Sequence, residues 1–177
     1  MRFFTMEQDR TLWDMIQFRD FDIAGPRHIF YKEDADDIDP SATLYLAAES
    51  GETAPDYIQF PVHMVSDTVK NVLDMYEDDM VFRTIVITSK ENEMLKVYHH
   101  LLLERLDMFS EQTEFYPNGS IKRLVLDAKK IGEHKVFMLN DKRFTNPYVS
   151  LEVVESLLRR GVVGIIWKEV EVEEWPN

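Results

Sequence analysis

Two stretches of this chain say nearly the same thing. Val65-Ser66-Asp67-Thr68-Val69 runs on to Leu73, and Val149-Ser150-Leu151-Glu152-Val153 runs on to Leu157, each a few residues after a proline (Pro61, Pro147). Both read as a serine N-cap opening a short amphipathic helix. The hydroxyl of Ser66 or Ser150 accepts a backbone N–H of the first turn, and the preceding valine packs one turn into the helix as a hydrophobic staple. In the first copy Val69, Val72, Leu73 and Tyr76 recur on one helical face. Glu77, Asp78 and Asp79 then face the negative end of the helix dipole, an unfavourable ending. The second copy ends in Arg159-Arg160-Gly161, with cations at the last carbonyls and Gly161 just past them. A β-branched run over 162–170 follows and reads as a strand. The echo has two readings at this level. It marks two related lobes, or it is a coincidence of common capping and core residues.

The remaining elements are mostly extended. Strands are expected at 2–6, 28–31, 43–47, 81–88 and 135–139; across 94–106 the alternation of Val97, His99, Leu101 and Leu103 favours a strand, while Leu95, Tyr98 and Leu102 would fit a helix. Residues 11–21 read as a short helix or a loop, Ala24-Gly25-Pro26 and 50–53 as turns. Asn118-Gly119 is a hairpin signal between extended runs, the return run being 121–126. The fold class expected is therefore α+β, with mixed, mainly antiparallel strands and a few packed helices. Residues 1–56 read as an N-terminal strand and loop region, and 57–177 as the main α+β domain.

Charge is distributed unevenly. The net charge of −13 is concentrated in residues 33–79, where thirteen acidic side chains meet one lysine, Lys70. Such a segment creates a directional field and opposes phosphate binding, so nucleic acid is not the expected partner. The chain has no cysteine, which removes disulfides and thiolate chemistry and suits a reducing, cytoplasmic setting. Glu7, Asp9, Asp14 and Asp20 interrupt any leader-like apolar run, and nothing approaches a membrane span.

Catalytic signatures are not legible. There is no glycine-rich phosphate loop and no Gly-x-Ser-x-Gly elbow. Adjacent His99 and His100 would point to opposite faces of a strand, so they do not form a shared metal site. The acids Glu33, Asp34, Asp36, Asp37 and Asp39 invite a calcium reading. Counted from Asp34, however, the fifth position is Ile38 and the sixth Asp39, not the glycine an EF-hand loop requires. No metal or cofactor is expected. That run is a solvated loop, a partner-facing surface or, as the least favoured reading, the site of a loosely held cation.

Several of these segments resemble a family of bacterial immunity proteins of polymorphic toxin systems, long catalogued as a domain of unknown function. The resemblance covers roughly 57–170. It rests on the apolar strand 98–103 followed by Leu106-Asp107-Met108-Phe109-Ser110, on 121–126 with Asp127, and on 135–139. It also includes the closing segment of Val149-Ser150, Gly161, Gly164 and Ile165-Ile166-Trp167, with Trp167 where a phenylalanine is usual. Asp107 and Ser110 read most simply as local caps. The resemblance implies neutralisation of a cognate toxin domain by direct binding, without catalysis. If that toxin is a basic nuclease, the acids Glu33, Asp34, Asp36, Asp37, Asp39, Asp74, Glu77, Asp78 and Asp79 are the expected contact surface. Tyr31, Tyr45 and Tyr57 are candidate aromatic anchors, or else half-buried strand residues. A small acidic hydrolase and a regulatory or oligomerising domain without a toxin partner are the alternatives.

Overall fold

The computed structural model describes residues 1–19, 31–78, 80–89 and 95–173. Its elements are β1 (Phe3–Gln8), a 3-10 turn (Lys32–Asp37), β2 (Ser41–Tyr45), β3 (Tyr57–Ile58), β4 (Met64–Val65), α1 (Asp67–Tyr76) and β5 (Val81–Thr88). There follow β6 (Leu95–Leu102), β7 (Arg105–Leu106), β8 (Glu114–Phe115), β9 (Ile121–Arg123) and β10 (Val125–Asp127). The chain closes with α2 (Ala128–Ile131), β11 (Val136–Leu139), β12 (Tyr148–Ser150), α3 (Leu151–Arg159) and β13 (Ile165–Glu173). This is the mixed, mainly antiparallel α+β architecture expected from the sequence.

The strands form a six-stranded sheet, β10-β13-β1-β12-β11-β7, and a five-stranded sheet, β2-β5-β6-β4-β3, besides the small β8-β9 hairpin. The two large sheets share one plan. In one, β2 lies parallel to β5, and β5-β6, β6-β4 and β4-β3 are antiparallel. In the other, β10 lies parallel to β13, and β13-β1, β1-β12 and β12-β11 are antiparallel. Helix α1 leaves β4 at Ser66 as α3 leaves β12 at Ser150.

Register extends the match to single residues. Val65 faces His99, which faces Thr84; Val149 faces Phe4, which faces Glu169. One rung further, Val86 faces Thr43 and Glu171 faces Val125. The duplicated reading of the serine segments therefore holds in topology and in register, with one rearrangement. The counterpart of β6 is β1, which comes from the opposite end of the chain. The first 56 residues are thus divided between the sheets: β1 is an inner strand of one, and β2 an edge of the other.

The two helices meet between the sheets. Val69, Val72 and Leu73 of α1 join Val153, Val154 and Leu157 of α3 in a core completed by Tyr57, Val65 and Leu101 from one sheet and Met6, Val136 and Val149 from the other. Burying each such side chain contributes roughly 1.5–3 kcal/mol, so this seam is the main tie between lobes. The outer faces carry separate cores: Phe3, Leu126, Phe137 and Tyr148 on the six-stranded sheet, and Ile58, Met64, Ile85 and Ile87 on the five-stranded one.

Some expectations need correction. The acidic run is not simply a solvated loop, because Lys32–Asp37 winds into a 3-10 turn. The return run 121–126 is split at Leu124, its halves joining different sheets. Residues 11–19 form no helix; they cross the outer core through bridges of Met15 to Thr53 and Phe18 to Leu46. The expected turn at 24–26 and most of the expected strand at 28–31 lie outside the described residues.

Candidate partner-binding surface

The acidic turn is fastened at both ends. The Asp34 carboxylate accepts the Tyr31 N–H at 2.7 Å, closing the turn on itself. Glu33 pairs with Arg105, whose guanidinium lies 4.1 Å above the Tyr31 ring. Arg83 of β5 donates to the Ala35 carbonyl at 2.7 Å, and the Lys32 N–H to the Leu103 carbonyl at 3.0 Å. Two arginines thus hold the turn, one from each large sheet. Asp36, Asp37 and Asp39 remain exposed on it. Of the predicted acids, Glu33 and Asp34 hold the turn in place, and the other three face solvent.

Next to this turn lies an open corner of the five-stranded sheet. Pro40, directly after Asp39, accepts the Thr84 N–H at 3.0 Å. Register then places Ser41, Thr84 and His99 on one rung, Thr43, Val86 and Val97 on the next, and Tyr45, Thr88 and Leu95 on the third. These rungs share the face that packs on α1 further along, where Phe82 and Leu101 enter the central core. At the corner that face is open: Tyr45 is 49%, Val97 45% and Leu95 69% exposed. Asp67, at the start of α1, has its Oδ1 2.5 Å from His99 Nε2 and stays largely exposed. Asp39 and Asp67 both lie on the α1 side of these apolar side chains, at the Ser41-Thr84-His99 end of the corner. Asp67, Val86, Leu95 and Val97 were not among the predicted contact residues. The alternation at Val97, His99 and Leu101 was legible, but it reads as core until the extent of α1 is known.

Other predicted contact residues are placed differently. Tyr57 is fully buried, its hydroxyl 2.6 Å from His63 Nδ1 and its ring stacked on that imidazole, so it is no surface anchor. Burial also pushes its phenol well above the ordinary range. Tyr31 is buried beneath Arg105; only Tyr45 is exposed. Glu77 ties the lobes together, its carboxylate accepting the Lys135 and Val136 N–H groups at 2.7 and 3.3 Å and lying 3.0 Å from His134 Nδ1. Asp74 pairs with Lys70 at 2.5 Å. Asp78 is exposed beside the cleft between the lobes, and Asp79 lies outside the described residues.

The caps divide as well. Ser66 Oγ accepts the Val69 N–H at 3.4 Å and donates to Asp56 at 2.6 Å. Ser150 occupies the N-cap position, but its hydroxyl is buried without a hydrogen-bond partner, and the Leu151 N–H donates instead to the Arg2 carbonyl at 3.0 Å. Strand β1 alongside thus satisfies one of the free N–H groups of the first turn of α3. Asp107 and Ser110 accept the N–H groups of Phe109 and Gln112 at 3.3 and 2.9 Å. Gly161 adopts φ +68° after α3. Its N–H and that of Val162 return to the Leu158 and Leu157 carbonyls, the αL ending typical of glycine. His100, buried in register with Arg83, is lowered to about 4 by desolvation and by that guanidinium, so it is neutral at pH 7.

Among the described residues, no group of three or more His, Cys, Asp or Glu is placed to hold a metal ion, and no helix is long and apolar enough to cross a membrane. No protein-family model matches the chain, and no curated protein is significantly similar to it.

Proposed function

We propose that this chain is a bacterial cytoplasmic immunity protein that neutralises a cognate toxin domain by binding and covering it, without chemistry of its own. The observation that carries this reading is the fastened acidic turn. Asp36, Asp37 and Asp39 are exposed on backbone held by Arg83 and Arg105, so their field is preorganised rather than averaged over a loose loop. Toxins that cleave nucleic acid need basic grooves to bind phosphate. A fixed acidic ridge complements such a groove and steers association. The resemblance of residues 57–170 to immunity proteins points the same way.

The test is co-expression with candidate toxin domains encoded by neighbouring genes, scoring growth rescue and co-elution at low and high salt. Rescue with a salt-sensitive complex is the expected result. Asp36→Lys with Asp37→Lys should slow association about tenfold or more and flatten its salt dependence. An unchanged on-rate would remove the steering role. The absence of both complex and rescue would overturn the reading.

A further inference from the structure

Asn118-Gly119 has no part in the acidic turn or the sheet corner. It forms the tip between β8 and β9, where Tyr116, Pro117, Asn118, Gly119 and Ser120 are all exposed. The Gly119 N–H donates to the Tyr116 carbonyl at 2.8 Å, closing a turn with Pro117 and Asn118 at its centre. Gly119 has φ +79°, the left-handed region that glycine enters without strain, and a Cβ placed on it would meet nothing within 4 Å. The Asn118 side chain is held by the residue two steps on. Its Oδ1 accepts the Ser120 N–H at 3.0 Å and the Ser120 hydroxyl at 2.7 Å.

An asparagine amide is an electrophile for the backbone nitrogen of the next residue, because attack closes a small ring within the chain. Three features of this turn favour that attack. Both Ser120 donors are aimed at the oxygen on which negative charge develops as the Gly119 nitrogen adds to Asn118 Cγ, as the donors of an oxyanion hole are. Glycine has no side chain to crowd the nitrogen. The bond that holds the Gly119 N–H sits at an exposed tip, where brief local opening frees it. The other described asparagines lack this combination. Asn71 is inside α1 ahead of β-branched Val72, Asn140 precedes Asp141, and Asn146 precedes Pro147, which has no N–H to lose.

We propose that Asn118 is a self-modifying site, converted within this turn to aspartate and isoaspartate through a cyclic imide. The Gly119 nitrogen gives its proton to hydroxide and bonds to Asn118 Cγ. The Cγ–Nδ2 bond then breaks, and the amino group takes a proton from water and leaves as ammonia. Water opens the imide at either carbonyl, giving the aspartyl or the isoaspartyl chain with a new carboxylate. The isoaspartyl product carries an extra backbone atom between residues 118 and 119. It displaces Gly119 from the Tyr116 carbonyl and from Arg143, which donates to the Gly119 carbonyl.

The experiment incubates the folded full chain at mildly alkaline pH and follows the hairpin peptide by mass spectrometry, with the Asn118→Asp chain as the standard for the aspartyl product. Conversion at Asn118 ahead of Asn71, Asn140 and Asn146, with ammonia released and a rate that rises with pH, is the expected result. Ser120→Ala removes the hydroxyl donor and should slow conversion about fivefold, the worth of one neutral hydrogen bond to the developing oxyanion. Ser120→Thr keeps the hydroxyl and should retain the rate. The turn is exposed, so these variants are expected to fold, and circular dichroism verifies it. Conversion no faster at Asn118 than at Asn140 would overturn the site. An undiminished rate in folded Ser120→Ala would overturn the assistance by Ser120 while leaving the site standing.

Discussion

At the scale of single residues, the two serines show how one local pattern acquires two different energetics. Ser66 and Ser150 both have extended backbone at a helix start. Ser66 caps its helix and donates to Asp56, whose other carboxylate oxygen accepts the Val163 N–H at 2.7 Å. One hydroxyl is thereby linked to the loop that follows α3. Ser150 has neither role. Ser66→Ala should cost about 1–2 kcal/mol, the range for a lost N-cap with an attached hydrogen bond. Ser150→Ala should be neutral or slightly stabilising, since it removes a buried hydroxyl that makes no bond. Denaturant midpoints with unchanged slopes check the pair, and equal losses would contradict the difference. Both caps were legible as positions. Their difference was not, because β1, which pairs beside Ser150, comes from the far end of the chain.

At the scale of elements, the end of α1 shows why a locally poor sequence is stable in place. Glu77-Asp78-Asp79 opposes the helix dipole. The helix stops at Tyr76, Glu77 turns extended, and its carboxylate binds the backbone that opens β11. Two N–H groups at the start of a strand gain an acceptor, and the carboxylate loses its unfavourable setting. Glu77→Ala leaves those donors partly buried without it, at a cost of about 1–3 kcal/mol. Glu77→Gln keeps an acceptor oxygen and should lose less. Thermal unfolding of the three chains should therefore rank wild type, Gln, Ala. The strand over 95–102 follows the same logic. Its period-two alternation was readable, but its outward end became a surface because α1 covers only part of that face.

At the scale of the whole molecule, a two-lobed chain whose second lobe borrows its inner strand from the N-terminus carries a specific consequence. Phe3 of β1 faces Val170 of β13, so the start of one strand lies beside the end of the other, as Thr88 and Leu95 do in the hairpin β5-β6. Joining residue 177 to residue 1 and opening the chain between the exposed Arg10 and Thr11 should give a folded permutant with the same circular dichroism spectrum and cooperative unfolding. In that order both lobes run strand, helix, strand, strand. Removing residues 1–8 instead should abolish cooperative folding, because β1 is the inner strand to which β12 and β13 both pair. A permutant that does not fold would limit the duplication to a likeness of topology.

The sequence by itself determined the α+β class, the two serine-led helices, the glycine ending at Gly161, the Asn118-Gly119 hairpin and the concentration of charge in 33–79. Each of these depends on neighbours within a turn or two, where capping, periodicity and turn chemistry act. Only the tertiary structure decided that Tyr57 and Glu77 lie inward, that Arg83 and Arg105 fasten the acidic turn, and that β1 completes the far lobe. It also decided that Tyr45, Val86, Leu95 and Val97 form one open corner. Those outcomes depend on which strands become neighbours, and tertiary contacts join residues from tens of positions apart, as Arg83 and Ala35 are, to more than a hundred and forty, as Phe3 and Ser150 are.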